Sequence, residues 1–277
     1  NPARQLMQVP YLVREGRRGE AVNLIVKYWE STPLEMLAAM CGTTLSVSDA
    51  EKEDLSADRR AELDKQLTDV EEVLQQVLLK TQDAWKGAAD ETARRRSLQE
   101  YLLVLSVTAN HYVNTQRYRE AVALYTEILK HQPENTIALN NRAMILAAQA
   151  SDLKMALKDI NGLIEREGPL PMLVDTQAMV LRAAGKHQQA LAASRRVLSE
   201  KPSQLDAASN KNLAKQWGGY YFHLALMCDA NGDARGAADA MREAVALGFQ
   251  SSDVFDPELP DWSRLVAQFN MDIKPEK

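Results

Sequence analysis

Alanine recurs along the chain at the start of an amphipathic helical pattern. A mostly apolar residue follows each of five alanines at offsets of four and seven, and a helix breaker or an equivalent turn comes five residues further on. The alanines are Ala21, Ala121, Ala156, Ala190 and Ala237. Apolar positions at three- and four-residue steps are typical of one face of an α-helix. The pattern therefore predicts a series of amphipathic helices with defined ends.

The spacing of the alanines predicts how these helices pair. Ala121, Ala156 and Ala190 are separated by 35 and 34 residues. A period of about 34 residues is typical of a two-helix repeat that buries its apolar face only against its neighbours. We therefore expect an all-α protein, a right-handed α-solenoid of stacked antiparallel helix pairs. The alanines are predicted to lie where the two helices of a hairpin cross closely.

The pattern predicts a different organisation in different parts of the chain. The expected segments are, in order, divergent N-terminal repeats at 1–100 with a charged loop at 46–57 and a long helix at about 57–83; three regular hairpins at 101–202; an insertion at 203–216; a fourth hairpin at 217–249; and a capping helix and tail at 250–277. The long helix carries an apolar stripe from Leu63 to Leu78. This stripe fits either the core face of a repeat helix or a dimerising coiled coil.

The C-terminal helix is predicted to close the stack. Trp262, Leu265, Val266 and Phe269 lie at helical spacing and would form one apolar face. The last repeat of such an array has an open apolar flank, and a short amphipathic helix would cover it.

Composition supports helices and argues against several ligand classes. Of the 277 residues 45% are apolar and only 6% aromatic, and the net charge of −5 argues against binding to nucleic acid or to an anionic membrane. The longest apolar run, Tyr101–Val107, is far shorter than the about 20 residues of a membrane-spanning helix. We expect a soluble protein without direct membrane insertion, and the cytoplasm is slightly favoured as its compartment.

No residue pattern predicts a cofactor or a metal. The histidines are scattered, and no pair has the i, i+4 spacing of a helical metal site. Cys41 and Cys228 lie far apart in apolar helical segments and are predicted to be free core thiols. Gly218 and Gly219 are a weak phosphate-binding signal, and they are predicted to end the insertion.

The recurring pattern resembles the tetratricopeptide repeat family, which has small and aromatic residues in the first helix, alanine in the second and proline at the end. The best-fitting unit, Leu102–Pro133, supplies Ala109, Tyr112, Tyr118, Ala121, Tyr125 and Pro133. The stretch from Asn140 to Phe249 resembles, more closely, the C-terminal end of long bacterial tetratricopeptide repeat proteins. This resemblance implies a kinase, sensor or other module upstream. The start at Asn1 rather than Met likewise predicts a processed or excised piece.

The resemblance also implies that the first helix of each repeat lines a concave groove. The residues that it places in the groove are, hairpin by hairpin, Ser106, Asn110 and Asn114; Asn140, Asn141 and Met144; Met172, Asp175, Thr176, Met179 and Arg182; and Phe222, His223, Leu226 and Asp229. Asparagine amides both donate to and accept from an extended peptide, and methionines adapt to apolar side chains. Alternatively, Asn110 and Asn141 only satisfy neighbouring helix ends or solvent.

One class of partner can be tested on the sequence. The clamp that captures the dicarboxylate tails of chaperones combines two asparagines, which Asn110 and Asn141 match, with three basic residues. Ser106, Met172 and Thr176 stand at the basic positions. Because they carry no positive charge to hold two carboxylates, the sequence argues against chaperone tails as partners.

The expected function is a non-catalytic scaffold or adaptor that binds a protein or an extended peptide. Two alternatives stay open at this point. The first is self-association into a homo-oligomer through the long helix or an exposed repeat end. The second is an enzyme with an unrecognised cleft, for instance one that combines His223 with Asp175 or Asp229.

Overall fold

The computed structural model describes residues 2–45, 47, 55–202 and 210–271. These residues form helices and no β-strand, and the helices pack in adjacent pairs. The chain divides into two compact units, Asn1–Pro133 and Glu134–Lys277. The all-α fold class of paired helices is confirmed.

The first unit begins with short helices and ends with long ones. Its helices are α1 (Pro2–Leu6), α2 (Val9–Arg14), α3 (Arg18–Tyr28), α4 (Leu34–Leu45), α5 (Ala57–Lys86), α6 (Glu91–Asn114) and α7 (Tyr118–His131). The Asp90 side chain caps α6 by accepting a hydrogen bond from the Ala93 N–H at 2.8 Å. This cap explains why α6 begins at Glu91, ten residues before residue 101, where the first regular hairpin is predicted to begin.

The stripe of the long helix α5 is part of the core of the first unit. Val70, Leu74 and Val77 are buried in one cluster with Ile25 of α3 and Cys41 of α4. The same side chains cannot simultaneously form the seam of a coiled coil between two copies of the chain. Of the two alternatives for this stripe, the structure therefore favours the core face.

The described residues of the second unit form three helix pairs and a final helix. Its helices are α8 (Thr136–Ala148), α9 (Leu153–Glu167), α10 (Pro171–Ala183), α11 (His187–Ser199), α12 (Lys211–Ala230), α13 (Ala234–Ala246) and α14 (Leu259–Phe269). The pairs are α8 with α9, α10 with α11, and α12 with α13, and α10 also packs against the first helices before and after it.

The five repeat alanines are all fully buried. The turns between paired helices need one residue in the left-handed region, which glycine adopts most easily. Gly185 (φ 71°) and Gly232 (φ 76°) supply it in the last two pairs. Gln116 (φ 58°) and Ala150 (φ 45°) take this conformation in the two pairs that lack the glycine.

The predicted insertion is partly helical. The structure shows that α12 begins at Lys211 rather than at 217, because the Asn210 side chain caps it by accepting from the Leu213 N–H at 3.0 Å. Residues 203–209 lie outside the described residues, as do residue 46, residues 48–54 of the predicted charged loop, and the tail from 272 onward.

The prediction that Gly218 and Gly219 end the insertion is wrong, because both lie inside α12. A Cβ atom on Gly218 would lie 2.6 Å from the Cβ of Phe249. The glycine therefore permits the close approach of Phe249 to the helix.

The final helix α14 packs on the last pair of helices. Trp262 is buried against Phe222 and Phe249, with ring centroids 5.3 and 5.6 Å apart. Leu265 lies in the same cluster. This aromatic contact fixes the segment that connects α13 to α14 beside the first helix of the pair.

Candidate binding site

The first helices α8 and α10 present apolar residues to solvent at equivalent positions. Ile137 and Met172 are 35 residues apart, one repeat length, and each is the second residue of its helix. Ile137 is 68% exposed and Met172 is 47% exposed. Apolar patches on a protein surface mark interaction sites, and these two side chains occupy matching positions on helices that pack together. The sequence prediction included Met172 but missed Ile137, which the repeat period could have identified.

A cavity of about 170 Å³ lies in the second unit, between the first helices and the segment that follows α13. Five of the predicted groove residues line it: Met144, Asp175, Thr176, Met179 and His223. The other lining residues are Gln216, Gly219, Tyr220, Phe249, Asp253, Phe255 and Glu258. The structure thus brings together side chains from α8, α10 and α12 that are far apart in the sequence.

His223 forms the centre of the polar wall of this cavity. Its Nδ1 lies 2.8 Å from Oδ2 of Asp175 on α10, and its Nε2 lies 3.3 Å from Oε2 of Glu258. A neutral imidazole has one N–H donor, whereas a carboxylate only accepts, so two carboxylate partners favour the doubly protonated ring. Burial alone would lower the pKa of His223, but the charges and hydrogen bonds of Asp175 and Glu258 raise that pKa well above its ordinary value.

Two further polar contacts complete the wall. Lys215 Nζ lies 2.7 Å from Oδ1 of Asp253, so this carboxylate is paired. The Gln216 amide donates to the Tyr220 hydroxyl at 3.0 Å. Burial, together with the nearby charge of Asp175, raises the pKa of Tyr220, which keeps the phenol protonated.

The structure places Arg182 and Asp229 in contact with the cap. Arg182 pairs with Asp261 of α14 at 2.6 Å, and Asp229 pairs with Arg264 at 2.9 Å. Arg264 also contacts Asp261 at 3.0 Å. The sequence placed Arg182 and Asp229 in an open groove because it could not show that the cap lies over this end of the first helices.

Three other predicted groove residues are buried. Phe222 and Leu226 belong to the core cluster under α14 and are fully or almost fully buried. Asn140 is 8% exposed, and its Oδ1 has no hydrogen-bond partner among the described residues. Asn141 is half-buried. That Phe222, Leu226, Asn140 and Asn141 bind a partner stays a prediction. Phe222 and Leu226 are inaccessible in this conformation.

The remaining predicted residues lie in the first unit, on α6. Ser106 donates to the Leu102 carbonyl of its own helix at 2.9 Å. Asn110 Oδ1 accepts from the hydroxyl of Tyr125 on α7 at 2.7 Å, so this oxygen is bonded to a side chain in the middle of the neighbouring helix, neither to a helix end nor to solvent. Asn114 is exposed. No observation brings these three side chains to the cavity of the second unit.

The matching stretch of sequence identifies the repeats. Residues 107–169 match the family model described as tetratricopeptide repeat. This segment carries tetratricopeptide repeats. The matched segment includes the C-terminal third of α6 and the helices from α7 to α9, and the same spacing of buried alanines continues through Ala190.

Two solved structures are similar to this chain. One is MamA 41-end from Desulfovibrio magneticus RS-1, with 16% identity, a TM-score of 0.43, and coverage of 63% of this chain and 94% of that chain. The other is BtubC (BKLC) from P. vanneervenii, with 17% identity, a TM-score of 0.49, and coverage of 100% and 95%. Both TM-scores lie below 0.5, so the assignment rests on the helix pairs and the family match. No curated protein matches the sequence significantly.

Neither a metal-binding group nor a membrane-spanning helix is found in the part of the chain that the structure describes. Within it, no three His, Cys, Asp or Glu side chains are grouped so that they could hold a metal ion. No described helix combines the length and the apolar character that spanning a bilayer requires.

Proposed function

We propose that the chain is a non-catalytic scaffold or adaptor that binds a protein or an extended peptide through the first helices of its second unit. Tetratricopeptide repeats support a protein-interaction scaffold in general. The observation that carries the finer proposal is the placement of exposed Ile137 and Met172 on α8 and α10, the packed helices that supply Met144 and Asp175 to the cavity. Apolar and polar contacts would then lie along one helix face.

The geometry around His223 supports a binding role over catalysis. A general base needs a free ring nitrogen, but both nitrogens of His223 face carboxylates, and its pKa is raised. The Thr176 hydroxyl, a neighbouring oxygen nucleophile, donates to the Met172 carbonyl at 3.2 Å. Asp229, the other carboxylate considered for an active site, pairs with Arg264 instead. These contacts favour a fixed polar wall.

Site-directed photocrosslinking tests the proposed surface. Benzoylphenylalanine is introduced at Ile137 or at Met172, and the full chain is illuminated in extract of the source cells. The matched control is Gly162, an exposed position on the second helix α9 where an added side chain meets no atom within 4 Å. A single partner captured at both first-helix positions and not at Gly162 supports the proposal.

Charge substitutions test whether that capture depends on the apolar residues. Ile137→Asp together with Met172→Asp should abolish it, whereas Leu79→Asp, on an equally exposed apolar residue of α5, should not. Equal capture at all three crosslinker positions, or capture that survives the double substitution, contradicts the proposal.

A further inference from the structure

The cavity beside His223 has an excess of negative charge. Its lining contains the carboxylates of Asp175, Asp253 and Glu258. Lys215 neutralises Asp253, and the protonated His223 is shared between the other two carboxylates, so one negative charge remains. The neighbouring network at the cap has equal numbers of both signs, since Arg182 and Arg264 contact Asp261 and Asp229. The local excess is therefore a property of the cavity.

One carboxylate oxygen on this wall has no hydrogen-bond donor. Asp175 is 8% exposed, and while its Oδ2 accepts from His223, its Oδ1 has no hydrogen-bond partner among the described residues. Leaving a buried oxygen of a charged group unpaired costs free energy that a donor would recover. A ligand that donates an N–H or O–H to this oxygen would satisfy it, and a positively charged donor would also balance the charge.

The remaining walls suit the stem of a long side chain. Met144, Met179, Phe249 and Phe255 give the cavity an apolar lining next to its polar wall. A lysine side chain combines an apolar four-carbon stem with a compact ammonium group at its end. Arginine fits less well because its planar fork prefers two free carboxylate oxygens, and His223 already occupies one oxygen of Asp175.

We propose that this cavity binds the ammonium group of a lysine side chain supplied by the bound protein or peptide. The ammonium donates to Asp175, and its stem lies against the methionines and phenylalanines. This inference rests on the proposed function, since it assigns the chemistry of one partner residue at the proposed surface.

Methionine methyl resonances provide the test. The full chain is labelled at its methionine methyl carbons and titrated with capped Gly-Gly-Lys-Gly-Gly or with the same peptide carrying norleucine, which has an apolar stem and no ammonium. Met144 and Met179 line the cavity, whereas Met227 and Met241 are fully buried elsewhere and serve as internal references. We expect the lysine peptide to shift the resonances of the two cavity methyls saturably. The norleucine peptide should bind at least about tenfold more weakly.

A pair of charge-matched variants adds a second arm. Asp175→Asn removes the proposed acceptor charge and should weaken binding of the lysine peptide by about tenfold. Asp239→Asn removes one charge from the exposed face of α13 and should leave binding unchanged. The comparison of the two peptides uses the unaltered chain, so it decides the question even when Asp175→Asn does not fold. Equal shifts with both peptides, or unmoved cavity methyls, overturn the inference.

The two proposals can be rejected independently of each other. Position-dependent crosslinking at Ile137 and Met172 together with indifference to the lysine peptide rejects the lysine cavity and leaves the scaffold proposal standing. Lysine-specific shifts without position-dependent crosslinking reject the proposed partner surface and support a cation site in the cavity.

Discussion

Arg142 of α8 and Asp159 of α9 form a buried ion pair between the two helices of one repeat. The guanidinium Nε lies 2.8 Å from Oδ2 and Nη2 lies 2.9 Å from Oδ1, so the contact is bidentate. The side chains are only 10% and 5% exposed. Replacing Asp159 with Ala would leave the guanidinium charge buried without this carboxylate.

The burial and the short distances of this pair set the size of the stability loss expected for Asp159→Ala. Two unit charges about 4 Å apart attract each other by about 4 kcal/mol at the effective dielectric constant of about 20 that suits proteins. Removal of one partner from a buried pair costs about 3–5 kcal/mol in general. Since domains unfold with about 5–15 kcal/mol, Asp159→Ala should remove a large part of the stability of the second unit.

Urea unfolding followed by circular dichroism measures the effect. With a slope of about 1–3 kcal/mol per molar urea, the midpoint should fall by about 1 M or more. The control is Asp239→Ala, which breaks an exposed pair with Arg242 and should cost less than about 1 kcal/mol. Replacement of both partners, Arg142→Met with Asp159→Leu, should recover most of the loss because no buried charge remains. A single variant within about 1 kcal/mol of the parent, or a double variant as unstable as the single one, would refute the reasoning.

Three further outcomes are expected. Ala190→Leu should overpack the helix crossing and cost about 1–3 kcal/mol in thermal melts, and an unchanged midpoint would contradict the buried register. Burial raises the pKa of Cys41 to about 12 and also raises that of Cys228, so neither thiol should react with a disulfide reagent before unfolding. Because the folded pKa of His223 is raised, its stabilising contribution is fully present below the unfolded value of about 6.5 and is lost as pH rises through the folded value. The midpoint difference between the parent and His223→Gln should therefore shrink as the solution becomes alkaline, and a difference that is constant with pH would contradict this assignment.

The sequence was most informative where the two helices of one repeat cross. Ala121, Ala156 and Ala190 predicted the helix pairs because a close crossing requires a small side chain, and this requirement recurs with the repeat period. The start of α12 at Lys211 was missed, although the Asn210 cap is a local signal that could have indicated it.

The candidate site was predictable only on the side that the repeats build. Asp175 and His223 occupy repeat positions, and their meeting follows from the register. Glu258 and Asp253 belong to a connection without a repeat, so no period placed them beside His223. Phe222 shows the opposite error, because its groove position is covered by Trp262 of the cap.

The segment from Gln250 to Glu258 both leads to the cap and supplies one side of the cavity. This double role affects any transfer of the repeats into another protein. A graft that ends after α13 would carry the alanine-marked helices but lose the carboxylates of Asp253 and Glu258 and the ring of Phe255. Conversely, exchanging this short connection alone would change the charge of the cavity and leave the buried helix crossings untouched, so recognition could be redesigned without rebuilding the array.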